Sequence, residues 1–267
     1  METGSPTPRQ AGGTPAGFYD DLAAGYDRIY PDWEASLRRQ GDALHAAIHA
    51  ELGPGRRRVL DCAVGIGTQL LGLAAHGHLL AGGDVSTVAL RRARAECARR
   101  GVRAALVPAD MRALPFADGS FEVVVCADNA LPHLLTAGEV VRALGEMRRM
   151  LSPGGLVLVS TRDYDLLREQ RPPVTPPQLA QRGDEVTVTF QLWDWRADGE
   201  RYDMRLFQVT GADDRWTLAQ RRTVYWALTR AQLSGFAGQA GLVAPEWRFP
   251  EETGFFQPLL LARAPKH

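Results

Sequence analysis

The sequence predicts an α/β fold, an open and mostly parallel sheet with helices on both faces, and three observations carry the prediction. Residues 58–70, RVLDCAVGIGTQL, run from a short apolar stretch through an acid, Asp61, into the turn Gly65-Ile66-Gly67 and then a helical pattern. A buried strand, a glycine turn and a helix form the opening unit of a nucleotide-binding α/β domain. Further apolar runs end in polar residues: residues 78–86 reach Asp84, 104–108 lead to Asp110, and 121–126 lead to Asp128 and Asn129, with helix-length segments between. After Pro172 the rhythm changes to alternation with period two, the mark of an antiparallel addition.

The glycine turn narrows the ligand. Glycine lets the backbone approach a ligand where a Cβ would collide. A dinucleotide fingerprint, G-x-G-x-x-G/A, needs a small residue at its end, and counting from Gly65 that position is Leu70. There is no G-x-x-x-x-G-K-S/T either, which excludes a phosphate-cradling P-loop. An acid ahead of a two-glycine turn suits a cofactor with a ribose and a zwitterionic tail better than one with a diphosphate.

A chain of 267 residues can bury the core of one α/β domain with an insertion, or of two small lobes. The formal net charge is +0 and no patch combines basic and aromatic residues, which argues against nucleic acid and anionic membrane as partners. Cys62, Cys97 and Cys126 form no C-x-x-C pair and no ligand cluster with histidine. Cys62 and Cys126 lie in apolar strand contexts, where cysteine behaves as a small hydrophobe. The expectation is a reduced, cytoplasmic protein without a structural metal. No signal sequence opens the chain, and no apolar run approaches the roughly 20 residues that a membrane span needs.

In order, residues 1–17 are rich in Gly, Pro, Thr and Ser and read as a disordered tail. Residues 18–52 form a helical cap: Phe18, Leu22, Tyr26, Ile29 and Tyr30 recur at helix-like spacing, and a second helix runs to Leu52, where Gly53-Pro54-Gly55 stops it. The tyrosines either pack that cap or close over a ligand. Residues 53–171 and 216–267 are expected to build the core, with 172–215 as the antiparallel insertion. The strand at 78–86 places Asp84 about 20 residues beyond the glycines, where a carboxylate can accept both hydroxyls of a ribose. The arginines of the following helix, residues 87–100, read as a solvated face. Asp110 ends the third strand and points into the ligand crevice, within reach of an exocyclic amine such as that of adenine. Residues 121–135, FEVVVCADNALPHLL, break from a buried strand into Asp128, Asn129 and His133. His133 is either structural or at the reaction centre. A helix over 137–151 stops at Ser152-Pro153-Gly154-Gly155, and a fifth strand over 156–160 leads to Arg162, Asp163, Tyr164 and Asp165. Beyond the prolines, a run from 185, a turn at Asp198-Gly199, and runs over 202–209 and 216–228 alternate in an antiparallel manner. A helix over 229–240 and a return to the main sheet over 255–262 complete the chain.

This order of motifs resembles the class I S-adenosylmethionine-dependent methyltransferases over residues 18–264. The bases are Asp-x-Ala-x-Gly-x-Gly at 61–67, the second-strand acid, Asp110-Met111-Arg112 and the Pro-Gly-Gly before strand five. Within the class the chain looks most like the glycine/sarcosine N-methyltransferase branch, through Cys126-x-x-Asn129-x-x-x-His133-Leu134, Arg162-x-Tyr164-Asp165, the β insertion and the C-terminal Thr-Arg-x-x-Leu helix. The resemblance implies a Rossmann-like, seven-stranded sheet with S-adenosyl-L-methionine as cofactor, S-adenosyl-L-homocysteine as product, and no metal. By the same resemblance Asp61, the turn from Ala63 through Gly65 to Gly67, and the Ala127 backbone would hold the methionine end, with Arg39 on its carboxylate. Asp84 and the adjoining Val85 would take the ribose, Asp110 and Met111 the adenine, and Tyr26 and Tyr30 the lid near the sulfonium. Asn129 and Arg162 would grip an acceptor carboxylate, which a planar guanidinium binds through two parallel bonds. The tyrosines of that branch's substrate pocket do not line up with residues 187–191 or 205–207 here.

The function expected is methyl transfer to a small-molecule acceptor, an amine or amino-acid-like metabolite. O-methylation of a small metabolite and cofactor binding without catalysis are the alternatives, and a homo-oligomer stays open. An amine acceptor needs only its neutral form, whereas a hydroxyl needs a base, for which His133 is the nearest candidate.

Overall fold

The computed structural model describes residues 13–266. The N-terminal cap comprises α1 (Pro15–Leu22), a 3₁₀ segment (Ala23–Ile29) and α2 (Trp33–Leu52). The alternating core follows as β1 (Arg58–Asp61), α3 (Thr68–Ala74), β2 (Leu79–Asp84), α4 (Thr87–Arg99), β3 (Ala104–Pro108), β4 (Phe121–Cys126), α5 (Ala137–Met150) and β5 (Leu151–Ser160). After α6 (Tyr164–Gln170) come β6 (Gln178–Arg182), β7 (Glu185–Trp195), β8 (Arg201–Ala212) and β9 (Arg215–Trp226). Then α7 (Arg230–Gln239), β10 (Val243–Arg248), α8 (Pro250–Thr253) and β11 (Leu259–Arg263) return to the first sheet.

The main sheet has seven strands in the order β10-β11-β5-β4-β1-β2-β3. Strands β1 to β5 are mutually parallel, and β11 and β10 are antiparallel additions at one edge. Its central strands are apolar on both faces because helices cover both. Successive residues therefore divide between two cores: Val59, Val123, Val125 and Leu158 face one, while Leu60, Val124, Cys126 and Val159 face the other. The second sheet, β6-β7-β8-β9, is wholly antiparallel. A third core joins it to the cap through Phe18, Leu22, Trp193, Tyr202 and Tyr225.

Three expectations change. The run over 216–228, read as the third antiparallel run, pairs with β8 as expected, but the antiparallel sheet therefore extends to Trp226 and past the boundary expected before residue 216. Of the expected N-terminal tail, residues 1–12 lie outside the described residues, whereas Pro15 to Gly17 are the first turn of α1, capped by Thr14 Oγ1 accepting from the Gly17 N–H at 3.2 Å. The α4 arginines are not all a solvated face. Arg92 donates to the carbonyls of Ala23 and Ala24 at 2.6 and 3.2 Å and to Asp27 at 2.6 Å, which ties the 3₁₀ segment to α4. Strand β10 was not anticipated, because this edge strand is exposed along most of its length and lacks apolar alternation.

Helices α2 and α3 cross with backbones in contact. A Cβ on Gly72 would lie 2.4 Å from the Leu37 carbonyl oxygen and 2.8 Å from Gly41 Cα. Gly72→Ala gains about 1 kcal/mol of helix propensity, yet overpacking against rigid backbone costs about 1–3 kcal/mol and more where nothing yields, so a net loss of about 1–2 kcal/mol is expected. Chemical denaturation would show it as a lower midpoint at unchanged slope. A midpoint equal to or above wild type would contradict so close a crossing.

Candidate active site

The strand order reverses at β1, which lies between β2 and β4, and in open parallel sheets ligands bind in the crevice at such a point. A cavity of about 300 Å³ opens there, at the C-terminal ends of the strands. Its floor is the glycine turn, with Ala63, Gly65 and Ile66 on the wall. Gly65 and Gly67 have φ of 52° and 97°, the left-handed region that glycine enters without strain. A Cβ on Gly65 would come within 3.5 Å of the Tyr26 ring, so the turn and the cap face each other closely.

Asp84 ends β2 and fixes that turn. Its Oδ2 accepts from the Gly65 N–H at 2.7 Å and its Oδ1 from the Ser86 N–H at 2.8 Å. Burial raises its pKa, and these backbone donors oppose the rise. A carboxylate has about four acceptor sites, so a ligand's hydroxyls can still donate to it. Ser86 caps α4 and donates its hydroxyl to Asp20 on α1 at 2.6 Å. Asp110 and Met111 line the opposite wall with Val85. Arg112 chelates Asp110 at 2.6–3.1 Å and also pairs with Glu139, which holds the Asp110 carboxyl below its ordinary pKa and keeps it an acceptor.

The cap closes the cavity from above. Tyr19, Tyr26 and Tyr30 stack in succession, with centroids 5.8 and 6.5 Å apart, and all three line the cavity. Tyr30 donates to Asp128 Oδ2 at 2.8 Å, and Tyr19 shares a 3.0 Å hydrogen bond with His133 Nε2. The other ring nitrogen of His133 lies 3.2 Å from the Thr223 hydroxyl of β9. Burial, reinforced by the Arg162 charge, lowers the His133 pKa to about 3. The imidazole is therefore neutral and a weak base at physiological pH.

Not every residue expected at the site faces this cavity. Tyr26, Tyr30, Ala63, Gly65, Asp84, Val85, Asp110, Met111, Ala127 and His133 do; Arg39, Asp61, Gly67, Asn129 and Arg162 do not. Asp61 lies beneath the turn, where burial raises its carboxyl to about 7 against a bond from the Ala63 N–H, and its Oδ2 has no partner among the described residues. Asn129 is buried, its Oδ1 accepting from the Arg162 N–H at 3.1 Å. Arg39 and Arg162 line a larger neighbouring cavity of about 1030 Å³ under the antiparallel sheet. There the Arg162 guanidinium donates to Tyr202 at 2.6 Å and to Gln191 at 3.2 Å, and lies 4.9 and 5.1 Å from the Trp193 and Tyr225 ring centroids. Sequence reasoning missed Tyr19, Asp128, Gln191, Trp193, Tyr202 and Tyr225 as site residues. Only Asp128 carried a local signal, as a polar break at the end of a buried strand.

The first cavity fits S-adenosylmethionine. Asp84, Asp110 and Asp128 outnumber Arg112 among its charged lining residues, and Asp61 lies below, an arrangement that favours a ligand bearing cationic sulfonium and ammonium groups. Asp84 and Asp110 stand at the ends of β2 and β3, on the side where a ribose and a base would lie.

Comparisons with known proteins agree with this geometry. A family described as "Methyltransferase domain" matches residues 59–155, the span from β1 into β5. The chain is 29% identical to a glycine/sarcosine N-methyltransferase of Parasynechococcus marenigrum over 57% of this chain and 53% of that protein. It is 33% identical to a demethylmenaquinone methyltransferase of Thermus thermophilus over 53% of this chain and 63% of that one. An uncharacterised protein of Mycobacterium tuberculosis is 33% identical over 68% of this chain and 69% of its own length. The chain thus spans about half the length of the first of these relatives. Among solved structures, an amino pentose methyltransferase of Micromonospora echinaspora with S-adenosylmethionine bound superposes with a TM-score of 0.71 at 19% identity, covering 90% of this chain and 95% of that one. Fold and family match lead to one conclusion: residues 59–155 belong to the family of methyltransferase domains, within a chain that has the fold of the S-adenosylmethionine-dependent methyltransferases.

Proposed function

We propose that the protein methylates the amine nitrogen of a small, anion-bearing metabolite, as an N-methyltransferase close to the glycine/sarcosine branch. The observation that carries this reading is the state of Arg162. Its guanidinium is enclosed by aromatic rings and, among the described residues, hydrogen-bonded only to the neutral groups Tyr202 and Gln191. The nearby acids Asp163 and Asp165 are taken by Arg230, at 2.6 and 3.5 Å. Asp128 faces the same cavity and feels the Arg162 charge but makes no ion pair with it, so an acceptor carboxylate entering the larger cavity would give the guanidinium a directly bonded anion. His133 supports an amine over a hydroxyl, because burial and the Arg162 charge lower its pKa to about 3 and leave it a weak base for a hydroxyl proton.

When bound, S-adenosylmethionine supplies a methyl carbon already activated by sulfonium charge. In this reading Asp84 and Val85 hold its ribose, Asp110 and Met111 its adenine, and Asp61, Ala63 to Gly67 and Ala127 frame its methionine end. Tyr26 and Tyr30 exclude water. Arg39, expected on the cofactor carboxylate, lines the neighbouring cavity instead and has no part in this reading. Holding acceptor and methyl in near-attack geometry can contribute roughly 7–11 kcal/mol, which leaves little for acid–base catalysis to add.

Two measurements test the reading. Asp84→Asn should weaken S-adenosylhomocysteine binding by about 1.5–3 kcal/mol, roughly 10- to 150-fold, by calorimetry on folded protein. Unchanged affinity would remove Asp84 from the ribose site. In the second, labelled S-adenosylmethionine is offered to matched panels of amines, amino acids and alcohols; methylation of amino acids but not of the alcohols is expected. With the best amino acid, Arg162→Lys keeps the charge but loses the fork, so its KM should rise about tenfold while cofactor affinity stays within about twofold. Methylated alcohols, or an unaltered KM, would contradict the assignment.

A further inference from the structure

The two cavities meet at a partition made of two side chains. Tyr30 and Asp128 are the residues that line both, and the Tyr30 hydroxyl donates to Asp128 Oδ2 at 2.8 Å. One belongs to the cap and the other to the end of β4, so parting them joins the smaller space to the larger. Asp128 is held in an unusual conformation: it and Asn129 have φ of 55° and 63°, two left-handed non-glycine residues in succession. Left-handed backbone at such residues persists only where the surroundings over-determine it, and it collects at functional sites. Here the surroundings do. The Asp128 N–H donates to Ser160 Oγ at 2.7 Å, the Asn129 N–H to the Ser160 carbonyl at 3.3 Å, and Ser160 Oγ donates on to Gln257 at 2.8 Å. Asn129 is held in turn by the Arg162 N–H.

This bracing aims a part-exposed carboxylate at the partition, and its Oδ1 has no hydrogen-bond partner among the described residues. Arg162 opens onto the same larger cavity, so Asp128 and Arg162 face it from the ends of neighbouring parallel strands, and Arg39, Asp163 and Glu251 also line it. Much of the remaining wall is apolar, with Phe190, Trp193, Phe249, Phe256, Leu166 and Pro177. At about 1030 Å³ the space greatly exceeds the need of an acceptor of two or three carbon atoms. We propose that Asp128 is the acceptor-selecting residue: it accepts an N–H bond from an amine carried on a bulky, largely apolar skeleton that occupies the larger cavity, and it sets that nitrogen at the opening to the smaller one. The inference rests on the methyl-transfer reading above and adds to it a residue, a cavity and a size class. Charge supplies the discrimination, because an ammonium or amine gives a carboxylate a stronger, multiply donated contact than an alcohol of the same shape.

The test uses phenylalanine and 3-phenyllactate as probes, an amine and an alcohol that share an apolar skeleton and the carboxylate Arg162 would take, titrated by NMR into the full chain saturated with S-adenosylhomocysteine. Wild type should bind the amine about tenfold or more tightly than the alcohol, the scale of one charge-assisted hydrogen bond. Asp128→Asn retains the shape and tolerates left-handed backbone, and should bring the two probes within about twofold of each other, read at an S-adenosylhomocysteine concentration shown to saturate the variant. Tyr30→Phe, which frees Asp128 Oδ2, should keep the amine preference. Equal binding of both probes by wild type, binding of neither, a preference that survives in Asp128→Asn, or one that disappears in Tyr30→Phe would each overturn the proposal. Failure of wild type to bind S-adenosylhomocysteine would instead strike the underlying methyltransferase reading, so the two failures are distinguishable.

Discussion

The site depends first on one carboxylate. Asp84 accepts from the Gly65 and Ser86 amides, so a single side chain joins the turn after β1 to the turn after β2. Ser86 carries the linkage on to Asp20, and Asp20 also accepts from the Val88 N–H at 3.3 Å, which anchors α1 over the start of α4. Arg92, one turn further along α4, grips the 3₁₀ segment that bears Tyr26. The glycine turn, Asp84 and the tyrosine-bearing cap are thus one connected hydrogen-bonded unit. Loss of the Asp84 charge acts on all three, because each buried donor it satisfies would need another acceptor.

The second sheet supplies what the parallel sheet lacks. Parallel strand ends bring acids and backbone donors to a crevice, but they carry few aromatic walls. Strands β7, β8 and β9 contribute Trp193, Tyr202 and Tyr225, which enclose the Arg162 guanidinium. Stacking over rings and bonds to hydroxyls replace part of the hydration that a buried guanidinium loses. The same strands deliver Thr223 to His133, which completes its hydrogen bonding in the neutral form. The cap and the insertion pack on each other through a shared core, so both cavities are shaped by one set of contacts.

What was legible in the sequence was local. The glycine turn announced itself by spacing, and Asp84, Asp110 and the end of β4 announced themselves as polar residues closing apolar runs. A parallel sheet places all such ends on one edge, so order along the chain already implied convergence. The contacts that were not legible depend on register between distant segments. Nothing near Tyr19 in sequence points to His133, 114 residues away. Asp163 and Asp165 stand beside Arg162 in the chain, yet Arg230 holds them, because the α7 N-terminus docks there and leaves Arg162 to the aromatic enclosure. Alternation over 216–228 was legible as an antiparallel run, but how far that sheet extends is set by the pairing of β9 with β8, which local sequence does not show.

The central claim is that the cap and the glycine turn close over S-adenosylmethionine as one unit, and hydrogen exchange with and without S-adenosylhomocysteine tests it most directly. The amides of residues 18–33 and 63–67 should both slow on binding, because ligand contact stabilises segments that open locally at small cost. Protection of the turn with unchanged exchange in the cap would contradict the account, since the tyrosines would then be packing for the cap alone.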